Sequence, residues 1–379
     1  MSFEHYIRSG QRLLRCGYTT GTCAALAAQG AAVLLLSEKA PQYVEIKTPK
    51  GVDVRITPVF CRMEDGYTAI CGVEKDAGDD SDATDGILIA ARVRRADSDG
   101  VAIDGGVGIG RVTKPGLDQP VGAAAINSAP RKMIRQQIEA VSKKYNYAGG
   151  ISVEIFAPDD EEIALRTFNP QLGVEGGISV LGTSGIVEPM SEQALKDTIE
   201  LQIRQSAVSG AKRLVLTPGN YGMDFLRSGR LNIPDISIIK CSNFIGDALD
   251  VAAGLAFEEV LLVGHIGKLV KTAGGIMNTH SAYADCRAEI FCAHAAVCGA
   301  SAGTCRDLMN AATTDACIDI LEKANLREKT LDSIFQMIQH HLDRRAAGAF
   351  KTGAVLFSNK YGLLGTTEKA EEIIMHWQE

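Results

Sequence analysis

The sequence lacks a surplus of positive charge: 39 Lys and Arg stand against 46 Asp and Glu, a formal net charge of -7. A general affinity for nucleic-acid phosphates is excluded, and any anionic ligand must find a local basic pocket. Nor is there an apolar run long enough for a bilayer, since Ala24 to Leu36 falls short of the ~20 residues needed and is interrupted by Gln29 and Gly30. Arg12 and Arg15 ahead of it imitate a signal peptide, yet no small-residue cleavage site follows, so a buried helix is expected. The ten cysteines lack the close pairs of zinc or iron–sulfur sites and fall at irregular spacings, which points to reduced thiols. No membrane span, no resident metal and a cytoplasmic location are the expectations. The GxSxG elbow, the Walker phosphate loop and the HExxH helix are absent, which lowers the hydrolase and nucleotidase classes.

What is present is the composition of a folded protein, 46% apolar, 22% charged and rich in glycine, over 379 residues. That length suggests two domains at ~100–200 residues each. VEIKTP, VDVRITPV, TAICGVE, GILIAARV and ISVEIFA read as short strands mixed with the early helix and a second helix from Ala129 to about Lys144, an α+β pattern. From about Gly177 the pattern changes to GISVLG, SEQALKDTIELQIRQSA, RLVLTPG, ISIIKC, FIGDALDVAAGLAF and EVLLVG, strand and helix in alternation. The expected fold is two-domain α/β: an α+β domain over 1–175, then a doubly wound, mostly parallel, Rossmann-like domain over 176–379 whose C-terminal part is helical. GAVLFSN is expected to return to the sheet as an added strand. No repeat or low-complexity linker marks the boundary.

Five features carry chemistry. Thr19, Thr20 and Thr22 open the apolar helix, where a cap accounts for one of them and an anion site at the helix terminus is the alternative. Asp76, Asp79, Asp80, Asp82 and Asp85 crowd into ten residues, a solvated turn or else a source of a base or of oxygens for a hard cation. GGVGIG, Gly105 to Gly110, resembles a nucleotide loop, but RVTKPG follows, and Pro115 argues against the required helix. Beside it Lys114, Arg131 and Lys132, with Arg111, form either a solvated basic face or a patch for an acidic substrate. Finally, LGTSG, LTPGNYG, CSNFIG and VGHIGK follow expected strands, and in open α/β sheets ligands bind beyond the strands' carboxyl ends. His265 in the last of these is the histidine to follow, whereas Cys286, Cys292, Cys298 and Cys305 read as buried hydrophobes.

Seven ordered blocks then carry a resemblance over nearly the whole length: GYTTGTCAALAA, KDAGDD, GGVGIGRVTKPGL with VGAAAINSAPRKMI, GGISVLGTSGIVEPMSE, PGNYG, SNFIG and GHIGKLVKTAGGIMNTHS. With them the chain resembles the cobalt-precorrin-5B C(1)-methyltransferase (CbiD) family of anaerobic cobalamin biosynthesis. It departs in the acidic run, where Ser81 and Asp85 stand in place of the family's usual Pro and His.

The resemblance implies methyl transfer from S-adenosylmethionine to ring carbon C-1 of a cobalt-corrinoid, cobalt entering only as part of the substrate. The donor is assigned to the loops with Thr183, Ser184, Gly185, Pro218, Gly219, Asn220, Tyr221, Ser242, Asn243, Gly264 and Gly267. The acidic substrate is assigned to Thr19, Thr20, Thr22, Lys114, Arg131, Lys132 and Lys268, and any base to Asp79, Asp80 or His265. The familiar methyltransferase glycine loop, GxGxG between strand and helix, is not evident. A carrier that binds the tetrapyrrole without catalysis is the rival, and a nucleotide-dependent transferase using GGVGIG a third reading. Self-association as a homo-oligomer is left open.

Overall fold

A computed structural model describes residues 3–9, 11–158, 161–167, 169–229, 231, 233 and 236–378. The chain is an α/β protein that divides into two compact units, Met1–Ser191 and Glu192–Glu379.

In the first unit the apolar run is helix α1 (Thr20–Ser37), capped where the Thr19 hydroxyl accepts from the Thr22 amide and ended by Glu38 in the left-handed region at φ 60°. Its length and hydropathy suit a membrane span, yet 78% of it is buried inside the fold. A helix that is apolar all round needs cover on more than one side. It has it: α1 packs on β2 (Thr68–Glu74) and β3 (Leu88–Ala96) and also against α2 (Ser128–Lys144). The mixed sheet is completed by β1 (Phe60–Met63), β4 (Val101–Gly105) and β5 (Gly150–Phe156), in the order β1-β2-β3-β5-β4. VEIK and DVRI pair with each other as a separate antiparallel hairpin.

Residues 176–191 differ from expectation. GISVLG, expected to open the second domain, lies in the first unit, where Gly177 and Ile178 pair in parallel with Gly108 and Ile109 and Val180 bridges Ile126. Ile186 and Val187 pair antiparallel with Tyr18 and Gly17. The segment is too short and glycine-rich to hold a central strand, and its polar backbone is taken up by the first unit: the Val180 amide donates to Ala125 O and the Asn127 amide to Val180 O.

The second unit starts with α3 (Glu192–Val208) and alternates β6 (Arg213–Thr217), α4 (Asn220–Arg227), β7 (Ser237–Lys240), α5 (Ile245–Ala253) and β8 (Glu259–His265). Helices α6 (Arg287–Val297), α7 (Ala302–Met309), α8 (Thr314–Lys323) and α9 (Arg327–Ala346) lead to β9 (Lys351–Ser358), β10 (Gly362–Thr366) and α10 (Glu368–Gln378). The sheet order is β7-β6-β8-β9-β10, parallel except for β10. Alternation along the strands splits the core in two. Leu214, Leu216, Val260, Leu262 and Leu356 join the apolar faces of α5, α8 and α9. Val215, Leu261, Val263 and Phe357 meet Phe225 of α4 and Ile373 and Trp377 of α10, with Phe225 stacked on Phe357 at 4.2 Å.

Candidate functional site

Thr19, Thr20 and Thr22 are buried, and the structure brings them to Thr183, Ser184 and Gly185, all within the first unit. The Thr22 hydroxyl donates to Gly185 O at 2.7 Å, and the Thr20 hydroxyl contacts the carbonyls of Ser179 and Leu181 at 3.2 Å while accepting from the Leu181 amide at 2.9 Å. The Gly21 amide donates to Leu181 O at 3.0 Å. The helix terminus is therefore occupied by the chain's own carbonyls, and Thr183 to Gly185 belong to the first unit.

The acidic run is a folded turn in which every carboxylate holds a neighbour. Asp76 forms a bidentate pair with Arg15 at 2.5 and 2.8 Å, and that guanidinium holds its carboxyl below the ordinary aspartate range. Asp79 accepts from the Arg15 amide at 2.7 Å, Asp80 from the Met190 amide at 3.2 Å and Asp85 from the Ala77 amide at 2.8 Å. Asp82 pairs at 2.7 Å with the buried Lys75. Among the described residues no cluster of three or more His, Cys, Asp or Glu is arranged to hold a metal ion.

GGVGIG is a turn between β4 and the short pairing with Gly177. At Gly108, φ is 76° and an added Cβ would lie 1.7 Å from Ala157 O, so the glycine serves close backbone packing. The basic residues beside it are not equivalent. Arg131 spends its guanidinium on Ile126 O and Ile103 O, both at 2.8 Å, and burial lowers its pKa. Arg111 is paired with Asp104 at 2.8 Å. Lys114 and Lys132 are exposed.

The remaining residues converge at the carboxyl edge of the second unit's sheet. Chain order runs from β6 outward to β7 and then back across to β8, so the strand order reverses between β6 and β8. At such a switch point the loops leave in opposite directions and open a crevice. Pro218, Gly219, Asn220 and Tyr221 follow β6, Ser242 and Asn243 follow β7, and Gly264 to Lys268 end β8. Gly219 has φ 105° and Ser242 φ 55°, backbone turned sharply away from the strands. Gly264 leaves room for Pro218, whose ring an added Cβ would meet at 3.0 Å. Tyr221 is 63% exposed, its ring 6.0 Å from that of His265.

His265 caps the one-turn helix Ile266–Leu269: its Nδ1 accepts from the Gly267 amide at 3.0 Å. Its Nε2 faces a second chain donor, the Asn359 amide at 3.4 Å. Burial lowers the His265 pKa, so the ring stays neutral with its acceptor nitrogen already used. The geometry makes it a positioning residue rather than a ready base. What it positions is Lys268, half-buried, whose ammonium would stand 3.5 Å from a Cβ at Gly219. Burial draws the Lys268 pKa down. Cys241, wholly buried, is raised to about 12 and is a thiol.

Two lysines at this edge escaped the sequence reading. Lys240 ends β7 and donates to Asn220 Oδ1 at 3.0 Å. Lys271 is buried and donates to the carbonyls of Thr279 and Ala284 at 3.1 and 2.8 Å, tying down the GIMNTHS loop, whose Thr279 amide in turn reaches Asn243 O at 3.0 Å. A lysine closing an apolar strand, as in ISIIK, was the available signal for the first; the second sits in an apolar stretch and gave none.

Comparison with known proteins follows the same two parts of the chain. The family profile described as CbiD matches residues 7–189, and that described as CbiD, C-terminal domain, matches residues 278–368. The chain is 47% identical to the cobalt-precorrin-5B C(1)-methyltransferase of Ruminiclostridium cellulolyticum, over 94% of this chain and 92% of that one. It is 43% identical to the protein of the same name from Treponema denticola, over 96% and 100%. Among solved structures, the cobalamin biosynthesis protein CbiD from Archaeoglobus fulgidus is 29% identical, with 74% of this chain and 87% of that one covered and a TM-score of 0.40.

Proposed function

The chain belongs to the CbiD family, and from that membership we propose that it transfers a methyl group to C-1 of cobalt-precorrin-5B, giving cobalt-precorrin-6A. The observation that carries this reading is identity of 43–47% to relatives of that printed name across almost the entire chain. The methyl donor in the proposal is S-adenosylmethionine, which supplies an electrophilic methyl on a sulfonium.

The macrocycle is itself an electron-rich carbon nucleophile, so the protein has no nucleophile to build. Its task is to hold donor and ring carbon in line and keep water out, and positioning of that kind supplies ~7–11 kcal/mol of a barrier. A site of loops, glycines and one unpaired cation suits this task better than a triad would. In the proposal the Rossmann-like second unit holds the donor at its carboxyl edge, with Gly219, Asn220, Ser242, Asn243, Gly264 and Gly267 lining the crevice and Tyr221 offering an aromatic face to the sulfonium. In the first unit Lys114 and Lys132 are the exposed cations for the substrate's carboxylates, and Asp79 and Asp80, each engaged by one chain amide, are the carboxylates for a ring proton.

Equilibrium binding separates catalysis from mere tetrapyrrole carriage. S-adenosylmethionine titrated calorimetrically into the purified protein, alone and with the corrin intermediate, is expected to bind. No heat of binding under either condition would remove the donor from the proposal.

A further inference from the structure

Several cations of the second unit are matched. Lys196 meets Asp247 at 2.7 Å, Lys369 meets Asp343 at 2.8 Å, Arg345 pairs with Asp250, and the buried Lys271 is bonded to two carbonyls. Lys268 is different. It is half-buried, and among the described residues no acceptor lies within hydrogen-bond distance of its ammonium and no carboxylate within ion-pair distance. Withdrawing a charge from water without a partner costs stability, so such a group is retained where a ligand supplies the partner.

Its surroundings point the same way. Lys268 stands on the one-turn helix that His265 caps, at the end of β8, facing Gly219 at the end of the adjacent β6. This is the reversal point of the sheet order, the crevice where open α/β sheets take ligands. Gly219, at φ 105°, disfavours a side chain that would fill the space in front of the ammonium. Lys240, on the other side of Asn220, adds a second positive charge at the same edge.

We propose that Lys268 is the counter-charge for a carboxylate carried by a ligand of the methyl-transfer reaction, either the amino-acid end of the donor or an acid arm of the tetrapyrrole. The proposal rests on the methyltransferase reading for the identity of those ligands, and on the chain's own geometry for the anion.

The test pairs each carboxylate ligand with a counterpart that lacks the group: S-adenosylhomocysteine with its decarboxylated analogue, and cobyrinic acid with its heptamethyl ester. Dissociation constants are measured for the full-length wild type, Lys268→Met and Lys268→Arg. In Lys268→Met one acid probe should weaken about tenfold or more, as for a lost charge-assisted bond, while its neutral counterpart changes by less than about twofold. Lys268→Arg should recover most of that loss. The pair that responds identifies the source of the carboxylate. Equal weakening of acid and neutral probes, or no weakening of either acid, overturns the proposal. A wild type that ignores S-adenosylhomocysteine but binds cobyrinic acid through Lys268 supports the carboxylate site while removing the donor from this edge.

Discussion

At the scale of single residues, His265 and Lys268 show how the chain accepts an instability to prepare a surface. Both are desolvated, and burial lowers the pKa of each. For His265 the folded state favours the neutral ring, so its contribution to stability is complete above the ordinary histidine value of 6.5 and is lost as pH falls through the lower folded value. Protonation also removes the Nδ1 acceptor of the Gly267 amide. The melting temperature should therefore fall as the pH drops from 6.5 through the lower folded value, by about 2–4 °C for each kcal/mol lost. Replacement by Asn, which keeps a capping oxygen but does not titrate, should flatten part of the slope. His294 and His341 shift in the same direction through burial and will leave a remainder. Identical slopes in wild type and His265→Asn would show that the ring is not held as described. The residues themselves were legible, since His265 and Lys268 stand out in VGHIGK. Their relation was not, because whether a lysine has a partner depends on groups that sequence spacing does not bring to view.

At the scale of elements, the stretch 213–265 was readable because apolar strands and helices alternate there with short glycine-containing loops, each element declaring itself locally. Segment 177–187 was not. Its partners are Ile109, Tyr18 and the threonines of α1, up to 168 residues away, and a two-residue pairing leaves no periodicity. The threonines illustrate the same limit: a helix start rich in hydroxyls looks identical whether it awaits an anion or is already bound by the chain's own carbonyls. Thr22→Val tests the second description. Losing the bond to Gly185 O should cost about 1–2 kcal/mol, seen as a lower denaturant midpoint at unchanged slope, with affinity for cobyrinic acid preserved. Weakened ligand binding at intact stability would return the segment to the ligand.

At the scale of the whole molecule, a chain of net charge -7 is proposed to act on an acidic tetrapyrrole. Global attraction cannot bring the two together, so recognition must come from a few cations set where their charge is not cancelled internally. Arg15, Arg111 and Arg345 are spent on carboxylates of the chain, and Arg131 on carbonyls. Of the basic residues proposed for the ligand, Lys114 and Lys132 are exposed and Lys268 is half-buried. The most direct measurement is turnover with S-adenosylmethionine carrying a ¹³C-labelled methyl group and cobalt-precorrin-5B as acceptor, followed by NMR and mass spectrometry of the ring. The account predicts a single labelled methyl attached at C-1 and stoichiometric S-adenosylhomocysteine. Label at another ring carbon, or an unmodified ring after incubation with protein that binds both ligands, would contradict it.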